Sequence, residues 1–362
     1  MNTWIMIVML AALGLTMAVT VAVPEMPRPT VPLGVSVPSD RVSDPAVRSA
    51  IRRYRIWILV GGVVAAAIMV ATLSVPEVSV LILLGYVVWT VVAFAVCRKP
   101  IMVAKARQGW YDAVPVRVSA SITPERPVKP LWPLLILAVG ICLATVAVVA
   151  INYHSLPDPM PTHYDAEGNA TSWKPKSWGS ALLLPLISCG STLLLVVLCV
   201  VLSRHQHTRF PDGRPKASRT FQKERGKTLQ RVLAVLTFVS AILMSILAVA
   251  PVVQLTPSGI SWTVWGLTTA SSLPVIWLVI DSVRQSRALT ATPADSGPQS
   301  PDDDHLWRWG IFYENREDPR VWVEKRNGVG LTVNIGRPAG MALMGVVALL
   351  VLATIALVIT VL

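Results

Sequence analysis

Eight apolar stretches, each free of Asp, Glu, Lys and Arg, divide this chain of 362 residues. Each is long enough to cross a bilayer as a helix, which takes about 20 apolar residues. The composition agrees, because only 14% of the residues are charged, whereas a soluble domain carries about 25%. The sequence therefore predicts an all-α polytopic membrane protein with eight transmembrane helices. The predicted spans are Trp4 to Val23, Ile56 to Val75, Val78 to Cys97, Trp132 to Ile151, Ala181 to Leu202, Val232 to Val252, Ser261 to Ile280 and Met341 to Val361.

The basic residues alternate between the segments that separate these spans. Of the 32 Lys and Arg residues, 30 lie in loops 1, 3, 5 and 7. Lys and Arg in short loops remain on the cytoplasmic side during insertion, so the odd-numbered loops are predicted to be cytoplasmic, with the N- and C-termini outside. The net charge of +12 then faces the anionic inner leaflet. We therefore expect contact with the lipid bilayer and none with nucleic acid. The first span lacks the positive n-region of a signal peptide, and we expect it to be retained.

The residue types that carry catalytic chemistry offer little here. Cys97, Cys142, Cys189 and Cys199 all lie in predicted spans without CxxC spacing, so neither a zinc site nor a disulfide framework is supported. No HExxH, GxSxG, Walker A or GxGxxG pattern occurs. We therefore predict no catalytic residues, no metal and no cofactor, and a protein that is not an enzyme.

The loops differ in their local signals. In loop 1, Ser43-Asp44-Pro45 gives an N-cap followed by Pro, which predicts a helix that continues into the second span. In loop 3 the alternating stretch 114–118 fits either an interfacial segment or an extended linker. The predicted regions are 1–55, the first span and a Pro-rich loop; 56–131, a helical hairpin and a basic loop; 132–202, two spans and their outer loop; 203–289, a basic loop and two spans; 290–305, a linker; 306–340, a cytoplasmic block; and 341–362, the last span.

The cytoplasmic block is predicted to contain β structure. Apolar residues recur at a spacing of two in three runs, which are separated by the turn signals Asp318-Pro319 and Asn327-Gly328. This pattern predicts a small unit of two or three strands before the last helix. The acidic run Asp302 to Asp304, which ends the linker, is expected to be solvated. The three runs are Trp309, Ile311 and Tyr313; Val321 and Val323; and Leu331, Val333 and Ile335.

The outer loop 4 is the densest polar segment. His163, Asp165 and Glu167 alternate, so an extended backbone would put them on one face, an arrangement that suits a divalent metal. The alternative is a rigid loop, since the segment holds three prolines and an Ala-Glu-Gly-Asn turn. Its polar side chains would then simply face water, and we favour this interpretation.

Two stretches resemble known families. Leu156-Pro157, Pro161-Thr162-His163-Tyr164, Gly168 and Trp173 resemble the LP..(I/M)P.H(F/Y)...G.....W signature of a bacterial membrane family, domain of unknown function 1648. That family includes the SdpI-type toxin-immunity proteins. The resemblance implies a multi-pass protein of the bacterial cytoplasmic membrane. The residues it makes candidates for recognition outside the membrane are Leu156, Pro157, Pro161, His163, Tyr164, Gly168 and Trp173.

The second resemblance lies in the cytoplasmic block. Its sequence is similar to the W.(L/W)G.FYYN..DPR..V.KR.G.G...N pattern of domain of unknown function 5808, which often accompanies the first domain. Glu314 stands where that pattern has its second Tyr. In loop 1, the stretch 33–38 resembles the family's GVRVP, with Ser36 where Arg is usual. The candidates for a cytoplasmic interaction are Trp309, Gly310, Phe312, Tyr313, Asn315, Asp318, Pro319, Arg320, Lys325, Arg326 and Asn334.

Three functions remain open from the sequence. The favoured one is a non-enzymatic sensor or immunity protein that binds an extracytoplasmic peptide or envelope ligand and couples it to a cytoplasmic protein partner. The alternative is a small-molecule or peptide transporter or permease component, although coupled transporters usually carry ionisable residues inside their spans. A membrane-embedded enzyme is the third, and loop 4 offers the one polar cluster that could serve it.

Overall fold

The structure is a computed structural model that describes residues 2–72, 78–112, 128–165, 167–204, 215–291, 302–326 and 331–361. Helices dominate it, and short antiparallel strand pairs accompany them. The helices are α1 Asn2–Ala22, α2 Pro45–Ala71, α3 Val78–Cys97, α4 Lys99–Arg107, α5 Trp132–Ile151, α6 Trp178–Arg204, α7 Pro215–Val253, α8 Pro257–Ala291 and α9 Pro338–Val361. The strands are β1 Met160–Tyr164, β2 Ala170–Lys174, β3 Trp307–Arg308, β4 Phe312–Tyr313, β5 Trp322–Glu324 and β6 Leu331–Val333.

Within the described residues, seven helical segments are long and apolar enough to cross a membrane. They confirm a multi-pass membrane protein. The eighth predicted span corresponds to α9. Its segment Pro338–Leu349 is apolar but is shorter than the seven candidates. The seven candidates are Met6–Glu25, Pro45–Ala71, Val78–Arg107, Trp132–Ile151, Trp178–Ser203, Thr220–Val253 and Pro257–Ala291.

Several helices extend well past the apolar runs that predicted them. α7 begins at Pro215 and α8 continues to Ala291, because hydropathy marks only the lipid-facing part of a helix while Lys, Arg, Gln and Glu are good helix formers in water. α4, in the first part of loop 3, was not predicted. The predicted start of α2 is confirmed, since the Asp44 side chain accepts a hydrogen bond from the backbone N–H of Ala46 at 2.8 Å. The stretch 114–118 and the Asn327-Gly328 turn lie outside the described residues.

The chain divides into two compact units, and the division falls within α7 and α8. The first unit comprises Pro127–Arg204 and Gly226–Leu278, and the second comprises Asn2–Arg126, His205–Arg225 and Val279–Leu362. The first unit therefore contains α5, β1, β2 and α6. The second contains α1 to α4, the strands β3 to β6, and α9.

In the first unit, α5 packs against α6 through residues spaced three and four apart. The buried face of α5 carries Leu135, Ala138, Cys142, Thr145 and Val149, the spacing expected of one helical stripe. Small polar side chains line its partner: the Sγ of Cys142 lies 3.3 Å from the hydroxyls of both Ser188 and Thr192. Such residues allow close helix approach in membranes.

In the second unit, α2 is the helix around which the core forms. Its buried residues recur every three or four positions and face α1 and α3. Tyr86 of α3 donates its hydroxyl to the carbonyl of Ile58 at 3.2 Å. At the same helix pair, Trp57 and Trp89 stack with ring centroids 5.3 Å apart, and the Trp89 indole N–H donates to the carbonyl of Trp57. The buried residues of α2 are Val47, Ala50, Tyr54, Ile58, Gly62, Ala65 and Met69.

Candidate functional site

The loop between α5 and α6 folds into a β-hairpin, residues 160–174. β1 pairs antiparallel with β2, with Met160 opposite Lys174 and Tyr164 opposite Ala170. The turn forms around Asp165, whose Oδ1 accepts from the backbone N–H of Glu167 at 3.0 Å and of Asn169 at 2.8 Å. Slight burial raises the pKa of Asp165, but these hydrogen bonds and those from the Asn169 side chain outweigh that effect, and the net shift of the pKa is downward. The carboxylate form therefore holds the turn.

This turn agrees with the favoured interpretation, a rigid loop, and not with an extended backbone that would place His163, Asp165 and Glu167 on one face. β1 ends at Tyr164, so the backbone is not extended through Asp165 and Glu167. The Asp165 carboxylate faces its own turn instead, while His163 is exposed on the strand. Among the residues that the structure describes, no group of three His, Cys, Asp or Glu side chains is arranged to hold a metal ion.

A lysine that the sequence reasoning missed fastens the base of the hairpin. The Nζ of Lys176 donates to the carbonyls of His154 and Leu156, both at 2.9 Å. The backbone N–H of Lys176 donates to the Asp158 carboxylate at 3.0 Å. One residue thus joins both ends of the loop, and no short motif could reveal it because its partners lie 18 to 22 residues away.

Aromatic stacking holds the same base. The rings of Tyr153 and Trp178 stack with centroids 3.9 Å apart and planes 8° from parallel. The Nζ of Lys176 lies 5.3 Å from the centroid of the Tyr153 ring, a cation–π geometry. This aromatic pair therefore joins the segment that precedes the hairpin, just after α5, to the segment that follows it, at the start of α6.

The seven candidate residues of the hairpin region divide into buried and exposed sets. Leu156, Pro161 and Gly168 are buried, and Tyr164 is half-buried, which raises the pKa of its hydroxyl. Gly168 has a φ of +84°, and a Cβ there would overlap the carbonyl oxygen of Pro257 at the start of α8. Pro157, His163 and Trp173 are exposed, with Trp173 at 53%. The first set supports the hairpin, and the second set is accessible to a ligand.

We refer to residues 306–340 as the WGIFY block. Within its described part, β3 pairs with β4 and β5 pairs with β6, and a parallel bridge between Tyr313 and Asn334 connects the two pairs. The predicted strand through residues 309–313 is wrong at its start, because Trp309 and Gly310 have φ values of +53° and +75° and form a turn. This turn leaves the Trp309 side chain 61% exposed.

Buried polar residues fix the core of the WGIFY block. The Tyr313 hydroxyl donates to Asp318 at 3.1 Å, and Arg320 binds both oxygens of the same carboxylate at 2.9 and 2.6 Å. The hydrogen bonds from Arg320 hold the pKa of Asp318 well below its ordinary value. Asn334 is fully buried and binds backbone groups of four residues. Asn315, Asp318 and Asn334 are therefore structural, while Pro319 and Lys325 are exposed.

Comparison with family models agrees with both sequence resemblances. Residues 140–188 match the model of a domain of unknown function (DUF1648), and residues 316–341 match a family of unknown function (DUF5808). Both predicted resemblances are confirmed. The DUF1648 match contains the whole hairpin, and the DUF5808 match contains Asp318, Arg320 and Asn334. No curated protein matches the chain, and no solved structure does.

An acid–base cluster joins Arg326 of the DUF5808 segment to Lys105, Asp302, Asp303 and Asp304. Asp304 pairs with Lys105 and with Arg326, each at 2.6 Å. Asp303 pairs with Arg326, and Asp302 with Lys105. Burial would raise the pKa of Asp304, but the positive charges of Arg326 and Lys105 outweigh it and the net shift is downward. The expectation that this acidic run is simply solvated was therefore wrong.

Loop 1 completes the acid–base cluster. The backbone N–H of Ser36 donates to Asp304 at 2.9 Å, and its hydroxyl to Asp303 at 3.1 Å. Arg326 donates to the carbonyl of Gly34 at 2.6 Å. Gly34 itself has a φ of +70°, and a Cβ there would lie 2.7 Å from the carbonyl oxygen of Gly310. Loop 1 thus meets the Trp309–Gly310 turn backbone to backbone, and Ser36 binds both Asp303 and Asp304 directly.

Proposed function

We propose that this protein is a non-enzymatic membrane receptor of the sensor or immunity type. In this proposal it has eight spans with both termini outside, its hairpin recognises a peptide or envelope ligand outside the membrane, and its WGIFY block binds a cytoplasmic protein. Three candidate spans lie between hairpin and block along the chain. Since an odd number of crossings ends on the other side of a bilayer, the proposal gives the two motifs opposite compartments.

The observation that carries the proposal is that different residues of the loop hold its shape and face the solvent. The side chains of Lys176 and Asp165 form hydrogen bonds with backbone groups of the loop. These contacts within the chain hold the shape of the loop. His163 and Trp173 remain exposed on that fixed frame. A rigid aromatic with a hydrogen-bonding neighbour is typical of recognition sites, because little conformational entropy is lost on binding.

The WGIFY block supports the second half of the proposal in the same way. Its interior is closed by Tyr313, Asp318 and Asn334, while Trp309 projects from the surface at 61% exposure. An exposed tryptophan on a rigid turn is a suitable anchor for a protein partner. Each motif therefore combines a buried frame with an exposed aromatic residue.

The proposal is tested by susceptibility to peptides in a strain that lacks the gene. The challenge consists of spent medium from the parent strain and a panel of cationic amphipathic peptides. We expect the deletion to lower the minimal inhibitory concentration of at least one challenge and the wild-type gene to restore it. The double variant His163→Ala, Trp173→Ala should fail to restore it, because it removes both exposed side chains but no hydrogen bond that holds the loop.

The matched control is Thr171→Ala, an exposed residue on the same strand as Trp173. It should protect as well as the wild type at equal abundance in the membrane. Full protection by the double variant would remove the hairpin from the mechanism, and a deletion strain as resistant as its parent would refute the immunity role. Trp309→Ala tests the coupling, since it should abolish protection without touching the hairpin.

A further inference from the structure

A partly open cavity of about 470 Å³ lies in the second unit, where the membrane helices meet the WGIFY block. Its volume is within the range of about 300–1,000 Å³ that is typical of ligand pockets. Val91 and Phe94 of α3 line one side, and Met344 of α9 contributes to the lining as well. Ile311 and Phe312 of the block are also part of the lining. The cavity is therefore mainly apolar and is shared by spanning helices and a polar domain.

One residue of the cavity lining is also exposed on a candidate membrane helix. Val91 is 39% exposed on α3, and α3 belongs to one of the seven candidate membrane spans. A chain that enters past Val91 passes from the hydrocarbon of the bilayer into the apolar lining without crossing water. This continuity favours an occupant from the membrane over one from solution.

Two basic side chains, Lys325 and Arg326, line the cavity, and they differ in their surroundings. Arg326 is 5% exposed and is neutralised by Asp303 and Asp304. Lys325 is exposed, and the described part of the chain offers it no acidic partner. An apolar cavity whose lining includes one exposed ammonium group without a described acidic partner is complementary to a molecule with an apolar tail and an anionic head.

We propose that this cavity binds one acyl chain of an acidic phospholipid, with the phosphate of its headgroup at Lys325. A neutral lipid would leave the ammonium group of Lys325 uncompensated, and free phosphate would leave the apolar lining empty. A bound lipid would contact α3, α9 and the WGIFY block together, so its occupancy would stabilise the block against the helices. This inference does not depend on the receptor function proposed above.

The test uses photolabelling of the full-length purified protein in phosphatidylcholine nanodiscs. A minor component of the bilayer is phosphatidylglycerol with a diazirine in one acyl chain, and labelled residues are located by mass spectrometry. We expect label on the α3 segment around Phe94 and on Ile311 or Phe312. Lys325→Gln should reduce this labelling by about fivefold, the equivalent of the ~1 kcal/mol that one basic residue contributes near an anionic lipid surface.

The matched control is Lys99→Gln, which removes the same charge from an exposed lysine at the start of α4, outside the cavity. It should label like the wild type. Three results would each overturn the proposal: an equal loss in both variants, equal labelling by phosphatidylcholine with the same diazirine chain, or label confined to other helices. Competition by inorganic phosphate would also count against it, because that outcome assigns the site to a soluble anion.

Discussion

At the scale of single residues, the buried side chain of Asn334 makes five hydrogen bonds within the WGIFY block. Its Nδ2 donates to the carbonyls of Asn315, Asp318 and Arg320 at 2.8, 3.2 and 3.2 Å. Its Oδ1 accepts from the backbone N–H groups of Asn315 and Gly336, both at 3.0 Å. One amide thus satisfies donors and acceptors that no strand ladder reaches, and it is fully buried while doing so.

Replacing this amide by a carboxylate should unfold the block. Asn334→Asp removes a donor that three carbonyls share and buries a charge beside them, and a single unsatisfied buried group costs about 1–3 kcal/mol. We expect much faster hydrogen–deuterium exchange across residues 306–326 and 331–337 in the purified protein. Glu317→Gln, an exposed change in the same block, is the control. Unchanged exchange in Asn334→Asp would show that the hydrogen bonds of Asn334 do not determine the stability of the block.

The acid–base cluster illustrates what single residues in a sequence do not reveal. The sequence predicts a solvated Asp304, because its neighbours along the chain are acidic and polar. Besides Arg326, its partners are Lys105, 199 residues away, and the backbone of Ser36, 268 residues away. Ion pairs of this kind depend on tertiary contacts, so no local pattern predicts them. The candidates His163 and Lys325, by contrast, could be identified from their sequence motifs alone.

At the scale of elements, the sequence predicted spanning helices better than their ends or the strands. Apolar length is a direct consequence of bilayer thickness, which is why the spans of α1 to α3 and α5 to α8 could be recognised. The extension of α7 to Pro215 is not encoded by hydropathy. The alternation at Trp309, Ile311 and Tyr313 predicted a strand, but the positive φ angles of Trp309 and Gly310 turn the chain there.

The hairpin gives the sharpest prediction at this scale, because its turn contacts the start of α8 at a glycine. Gly168→Ala introduces a Cβ at a φ of +84° that overlaps the carbonyl of Pro257, so the turn must move away from α8. We expect faster exchange of residues 160–174 and loss of the protective function proposed for the hairpin.

Gly179→Ala is the matched control for this change. Its Cβ would meet only the Ser177 hydroxyl at 3.7 Å, an ordinary contact, near the first turn of α6. It should therefore leave both exchange and protection unchanged. Equal exchange in the two glycine variants would mean that the turn does not need its contact with Pro257.

At the scale of the whole molecule, the membrane topology is a prediction from the distribution of charge. The 30-to-2 division of Lys and Arg between alternate loops depends on the order of the spans and not on any packing detail. It requires α9 to cross the membrane as an eighth span if both termini are outside. The long helix Pro338–Val361 is consistent with that requirement, since a helix of this length reaches across a bilayer.

The topology can be tested by cysteine labelling in intact cells with a membrane-impermeant maleimide. Thr171→Cys in the hairpin should react from outside, whereas Glu317→Cys in the WGIFY block should react only after the membrane is permeabilised. Native background should be low, because Cys97, Cys142 and Cys199 are buried and Cys189 is half-buried. The opposite labelling pattern would invert the positive-inside assignment and remove the hairpin from the outer surface. Labelling of both sites in intact cells would mean that an even number of spans separates them. One of the three helices α6, α7 and α8 would then lie in the interface and not cross the bilayer.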